Sequence, residues 1–250
     1  MSIRATKGRQ RVPPAMAALV ARRWGNECWL RFPGCTGKGT TTDHITPFVA
    51  GGLTVPSNLR RACKHCNSLR GDRVLSGWGA TIHAVIGPPQ GGKSSWVRAH
   101  ALDGDIVLDM DVLAMGLLAG VRPGAEHVES GYVRKLASAA WYGAYRHAVR
   151  IGQPVGVWLV KTMPTTPHSP RLLDEWVSLG YDIHVCDPGK AMVMERQRAA
   201  PRPHAEAGIK QWYRTGLTKE SIDVKMMRRH EHLLDLGLIA GGRRQGRPDW

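Results

Sequence analysis

The chain has 250 residues, 42% hydrophobic and 22% charged, with 35 Lys and Arg against 20 Asp and Glu for a formal net charge of +15. That length holds two small domains, and no run nears the roughly 18 apolar residues of a membrane span, which sets a helical membrane protein aside. The excess of basic residues points to a polyanionic partner, nucleic acid first.

The charge is uneven. Residues 1–77 carry 13 Lys and Arg against Glu27, Asp43 and Asp72, whereas the remainder carries 22 against 17. The start is basic but lacks an apolar core segment, so the expectation is no signal peptide and a cytoplasmic protein. Residues 1–14 read as a disordered basic arm. Met16, Leu19, Val20 and Trp24 recur at helical spacing and predict a short helix, so that residues 1–23 form an arm and helix.

Cys28-x6-Cys35 and Cys63-x2-Cys66 follow, while Cys186 stands alone. Four thiolates in two pairs suit tetrahedral Zn²⁺ in a reducing compartment. Such a site is closed and structural, and it holds a segment too small for a proper core. Residues 29–34 must bulge between the first two ligands. His65 is read as exposed rather than as a ligand.

Between the pairs lie Asp43-His44-Ile45-Thr46-Pro47, Gly51-Gly52 and Asn58-Leu59, and the second pair runs into Asn67, then Arg70-Gly71. Residues 24–73 resemble the HNH endonuclease family in its zinc-stabilised form. The resemblance implies a β-hairpin followed by a helix around one divalent ion, Mg²⁺ or Mn²⁺. It implies His44 as general base, Asp43 and Asn67 as ligands of the catalytic metal, and Asn58 as the residue that orients His44. Arg60, Arg61, Lys64, Arg70 and Arg73 would hold the DNA backbone. Phosphodiester hydrolysis asks for such a base and cation.

Residues 75–79 read as a short joint, so the nuclease-like domain is placed at 24–76. Residues 81–86 form a strand-like run into Gly87-Pro88-Pro89-Gln90-Gly91-Gly92-Lys93-Ser94, which is G-x-x-x-x-G-K-S, the phosphate-binding P-loop. A helix-compatible stretch follows. Gly87, Gly91 and Gly92 let backbone N–H groups wrap an anion, and Lys93 reaches the β- and γ-phosphates of ATP. Ser94 offers a hydroxyl to Mg²⁺, with Ser95 beside it.

Residues 106–112 read as an apolar strand carrying Asp109 and Asp111. A strand delivering D-x-D also resembles the first motif of haloacid-dehalogenase phosphatases, but there it would come first, without a P-loop ahead of it. As the second strand of a P-loop kinase it would place acids near the acceptor hydroxyl and the metal, with Asp111 the first choice for the base and Asp109 assisting. A helix over 132–150 has a core stripe of Val133, Leu136, Ala137, Ala140, Trp141, Ala144 and Ala148, with Arg134 on a solvated face. A strand at 154–161, a loop with Pro164, Pro167 and Pro170, a helix at 171–179 and a strand at 183–187 come next. The helix after Asp187-Pro188-Gly189 carries Arg196 and Arg198 as candidate lid arginines. Helices at 204–214 and 218–236 and a disordered tail at 241–250 complete the chain.

Residues 80–215 resemble the bacteriophage polynucleotide-kinase-like branch of P-loop kinases through GPPQGGKS, IVLDMD and the arginine lid. No arginine follows the D-x-D closely; Arg122 is the candidate substitute. The fold class expected is α/β, a mainly parallel P-loop kinase-type sheet with flanking helices over 80–240, preceded by a small zinc-stabilised ββα-metal domain. The function expected is a DNA endonuclease joined to an ATP-dependent 5′-hydroxyl polynucleotide kinase, acting on DNA and on RNA ends, in the host cytoplasm if phage-encoded. Two alternatives stay open: an ATPase switch governing the nuclease, or a small-molecule or nucleoside kinase carried by a non-catalytic zinc module.

Overall fold

The computed structural model describes residues 11–120, 127, 128, 130–163, 169–202 and 205–239. It divides into two compact units, Met1–Arg73 and Val74–Trp250. The arm before residue 11, Arg122, Pro164, Pro167 and the tail at 241–250 lie outside the described residues.

The first unit opens with α1 (Pro14–Trp24). Proline suits its first position, where the backbone N–H would have no helical partner. Of the expected stripe only Val20 is buried, and Leu19 is 41% exposed. β1 (Thr41–His44) pairs antiparallel with β2 (Leu59–Ala62), Asp43 opposite Arg60 and His44 opposite Leu59. α2 (Lys64–Arg70) follows directly, its first turn capped by the Cys63 sulfur, which accepts from the Cys66 N–H. The stretch between Cys28 and Cys35, expected as a bulge, supplies the core: Trp29, Leu30 and Phe32 are all buried. Ile45, Leu59 and Ala62 of the same unit are likewise buried.

In the second unit, among the described residues, β3 (Thr81–Ile86), β4 (Ile106–Leu108), β5 (Gly156–Lys161) and β6 (Asp182–Val185) form a parallel sheet in the order β4-β5-β3-β6. Ile82, Ala84, Val85 and Ile86 are sealed, the near-continuous apolar run of a strand covered on both faces. The covering helices are α3 (Lys93–His100), α4 (Met110–Gly116), α5 (Gly131–Ala148), α6 (Ser169–Ser178), α7 (Lys190–Ala199), α8 (Ala205–Arg214) and α9 (Lys219–Asp235). The α/β class, the parallel sheet and the flanking helices are as the sequence implied. From β3 the chain crosses to β4 on one side, and from β5 it crosses back to β6 on the other. The carboxyl ends around β3 therefore open on a crevice where the winding reverses.

Three local readings change. The strand at 106–112 stops at Leu108, and α4 starts at Met110 because the Asp109 carboxylate accepts from the Asp111 N–H at 2.9 Å, an N-cap. The buried face of α5 is Val133, Ala137, Trp141, Tyr145 and Ala148, while Leu136 is 58% exposed. Tyr145 wins its place by stacking on Trp141 and accepting from Trp176 Nε1 at 2.9 Å. Val74, Leu75 and Ser76 are built into the second unit: Val74 N donates to Val149 O, and Ser76 Oγ accepts from Ile82 N. Among the described residues no helix is long and apolar enough to cross a membrane.

Candidate functional site

Each unit carries a cluster of polar side chains. In the first unit the sulfur atoms of Cys28, Cys35, Cys63 and Cys66 all lie within 4.8 Å of one another, with Cys35 Sγ 4.0 Å from Cys63 Sγ. Tetrahedral Zn–S bonds of 2.3 Å put sulfurs about 3.8 Å apart, so the cage fits zinc. Backbone N–H groups of Gly37 and Cys66 point at Cys35 Sγ and Cys63 Sγ, each at 3.3 Å, which favours thiolates. His65 stands outside the cage and bonds Pro33 O through Nε2.

His44 lies at the end of β1, half-buried, its Nε2 at 2.9 Å from Thr54 Oγ1. Burial and the nearby Arg70 charge hold its pKa below the ordinary histidine value, so the ring is neutral near pH 7 and able to take a proton. Asn58 does not touch the ring. Its Oδ1 accepts from Thr46 N at 2.9 Å, and its Nδ2 donates to Thr46 O and Leu53 O. It therefore fixes the loop between the two strands, because a single amide matches the backbone groups of that tight loop better than it reaches the imidazole.

Asn67 donates from Nδ2 to Thr41 Oγ1 at 3.0 Å and to Thr42 O at 3.4 Å. Among the described residues its Oδ1 keeps no partner, so it suits an oxygen-seeking cation. Asp43 does not. It is 4% exposed, and its Oδ2 meets Arg70 Nη1 at 2.6 Å. Burial raises its pKa against the pull of Arg70. As placed, the carboxylate is committed to a guanidinium, and the pair of expected metal ligands is not jointly open.

Arg70 itself is 1% exposed and also binds the backbone oxygens of His44, Ile45 and Arg73. Arg60 and Arg73 are buried too, Arg60 lying 3.8 Å over the Trp24 ring. Of the five basic residues expected on a DNA backbone, these three are structural, Arg61 is partly buried with a bond to Gly39 O, and Lys64 is exposed.

In the second unit, residues 87–92 link β3 to α3. A Cβ on Gly87 would lie 2.1 Å from Cys186 O, and Gly92 has φ +92° as the residue before α3. Both positions demand glycine. Lys93 Nζ donates to Pro88 O at 2.7 Å and Gly87 O at 3.2 Å, folded back on its own loop. Burial draws its pKa down to about 8, against the pull of Asp109. Ser94 Oγ donates to Asp109 Oδ2 at 2.5 Å.

The loop opens on a cavity of about 730 Å³. Gly91, Gly92, Lys93, Ser94 and Ser95 line it together with Asp109 and Asp111. The two acids differ. Asp109 is nearly sealed and tied to Ser94 and the α4 cap, whereas Asp111 faces Arg202 Nη1 at 3.4 Å and Arg134 Nη1 at 3.8 Å. Burial and then the Asp109 charge hold the Asp111 carboxyl above the usual range.

Arg196 reaches the loop, donating to Gln90 O at 3.1 Å. Arg198 is exposed and does not line the cavity. Residues two apart on a helix point about 200° away from each other, so only one of the two nominated arginines can face the loop. Arg202 takes the second place. Arg134, expected on a solvated face, also lines the cavity, as do Lys161 and Tyr142, which the sequence did not single out. Arg134 was legible only as a polar residue beside the α5 stripe, and Lys161 only as the charged end of an apolar strand.

Residues 26–73 match the model of the family described as HNH endonuclease. The ββα segment is HNH-like. No curated protein matches the chain. Among solved structures the chain is similar to the Deinococcus radiodurans tunicamycin resistance protein, at 18% identity over 64% of this chain and 98% of that one, with a TM-score of 0.28. At that score the likeness bears on neither fold nor activity.

Proposed function

We propose that the chain is a bifunctional nucleic-acid-processing enzyme, a DNA endonuclease in its first unit and an ATP-dependent phosphotransferase acting on 5′-hydroxyl ends in its second. The observation that supports it most is the HNH match over residues 26–73, on a hairpin that presents a neutral His44. In the nuclease, His44 takes the proton of the attacking water, Thr54 fixes the ring, and Asn58 holds the loop between them. Asn67 offers its Oδ1 to a cation, and Asp43 stays paired with Arg70. The thiolate cage holds Zn²⁺ as a structural brace.

In the second unit the donor set fits ATP and Mg²⁺. The glycine-rich loop would hold the phosphates with Lys93, and Ser94 and Asp109 would offer oxygens to the metal. ATP supplies the phosphoryl group. Asp111, with its raised pKa, takes the acceptor hydroxyl proton, while Arg196 and Arg202 face the charge that moves.

Two assays test the halves separately. Mg²⁺-dependent plasmid nicking should disappear in His44→Ala with zinc content unchanged; persistent nicking removes His44 from its role. Label from γ-labelled ATP should pass to a 5′-hydroxyl oligonucleotide in the wild type and not in Lys93→Ala. Label that appears on a nucleoside or other small metabolite instead would retire the polynucleotide reading, and ATP hydrolysis without any labelled acceptor would favour a switch.

A further inference from the structure

The loop between β1 and β2 is held tightly and is apolar on its outside. Phe48–Ala50 form a 3-10 turn that the Gly51 N–H closes on Phe48 O, and the Gly52 N–H returns to Pro47 O at 3.0 Å. A Cβ on Gly52 would collide with Thr46 O, so the chain doubles back there with no room for a side chain. The Asn58 amide then ties the backbones of Thr46 and Leu53 together. Yet Phe48 is 49%, Val49 62%, Leu53 68% and Val55 38% exposed. Single exposed apolar residues are ordinary, but four between positions 48 and 55 make a patch that asks for a partner. Residues 45–58 contain no Asp, Glu, Lys or Arg, although Lys38, Arg60, Arg61 and Lys64 flank them in the sequence. The loop also touches the candidate base: Thr54, between Leu53 and Val55, meets His44 Nε2 at 2.9 Å.

We propose that this loop, through Phe48 and Leu53 above all, is a stacking surface for nucleobases beside the cut, so that the site takes DNA whose bases are unpaired next to the scissile bond. This rests on reading the first unit as a nuclease. A phosphate brought to His44 carries its neighbouring nucleotide onto the loop that holds Thr54. Phosphates are gripped by cations, and residues 45–58 offer none; apolar side chains meet the faces of bases instead. In a fully paired duplex those faces are covered by the neighbouring pairs, and opening a step costs free energy that an unpaired base has already lost. Because Gly52 and Asn58 fix the loop beforehand, little ordering is left to oppose the contact.

The test is fluorescence anisotropy of the full, zinc-loaded chain with two labelled DNAs of equal length, one fully paired and one with a short central bubble of mismatches. Ca²⁺ replaces Mg²⁺ so that binding is read without cleavage. The wild type should bind the bubble roughly tenfold or more tighter than the paired duplex, as base stacking predicts. Phe48→Ala should erase most of that preference and Leu53→Ser should lower it about threefold. Neither should change the slope of affinity against salt, because an apolar contact releases no counterions. Equal binding of the two DNAs by the wild type overturns the proposal. So does an unchanged preference in Phe48→Ala, or a loss on both DNAs alike. A wild-type dimer that separates in Phe48→Ala, seen by sedimentation, also overturns it, since the patch would then belong to a second copy of the chain. If Phe48→Ala loses its zinc or its circular-dichroism signal, Leu53→Ser carries the test, and no change there sinks the idea. Bubble preference without nicking in Mg²⁺ or Mn²⁺ would defeat the nuclease reading and leave the stacking surface standing; nicking without the preference does the reverse.

Discussion

Arg70 is sealed and His184 half-buried, and each ties stability to charge. Arg70 uses its fork on the Asp43 carboxylate and on three backbone oxygens. Its positive charge looks the same in a sequence as that of Lys64, which is exposed; only the depth of the pocket separates a brace from a phosphate contact. Arg70→Met should cost about 3–5 kcal/mol, because it leaves a buried carboxylate without its counter-ion. Lys64→Ala should stay within about 0.5 kcal/mol, and urea midpoints compare the two. His184 lies 3.4 Å from His83 and packs beside Trp96, and burial together with the His83 charge lowers its pKa to about 4. The groups facing it are His83, Asp182 and His100. A histidine lowered in the folded state binds its proton more readily when unfolded, so stability is lost as pH falls from about 6.5 towards 4. Because the ring is partly solvated, His184→Phe should remove about 1–2 kcal/mol of that acid-side loss, read from unfolding midpoints at the two ends of the window.

At the level of elements, contiguous runs were legible and orientation was not. β3 is a mostly apolar run, interrupted at His83 and ending in a glycine signature, and both the strand and the helix after it follow from that pattern. The α5 face was misread because Tyr145, a half-polar ring, was passed over although it continues the four-residue series of Val133, Ala137 and Trp141 and stacks on Trp141 within the helix, while Leu136 falls on the exposed side. The D-x-D stretch was misread because Asp109 is as good a helix cap as a strand end. The arginines obey the same geometry. Arg196 and Arg198 fall on opposite sides of α7, and it is Arg202, past the helix end, that returns to Asp111. If phosphoryl transfer draws on these cations, Arg202→Ala should lower kcat by about 10²–10³, while Arg198→Ala should leave it within about twofold. A loss in Arg198→Ala equal to that in Arg202→Ala would contradict the cavity as drawn.

For the molecule as a whole, the two units are stabilised by different physics, and the cysteine distribution foretold it. The first unit buries a handful of large side chains around Trp29, Leu30, Phe32, Ile45 and Leu59. A core on that scale supplies no more than about 3–5 kcal/mol, against about 10–16 kcal/mol from a structural zinc. The second unit buries a sheet between helices and, among the described residues, has only Cys186 as a thiol. What the sequence did not disclose is how early the second unit begins: Val74 and Leu75 are sealed, although a run of small residues and glycine around them reads as a joint. Calorimetry of the zinc-loaded chain should therefore show two transitions. A strong chelator, or Cys66→Ser, should abolish the transition of the first unit together with plasmid nicking. If the glycine-rich loop and Lys93 hold nucleotide as proposed, ATP-analogue affinity should remain within about twofold. Loss of both transitions at once would mean that the cage also stabilises the sheet, and the assignment of zinc to the first unit alone would fall.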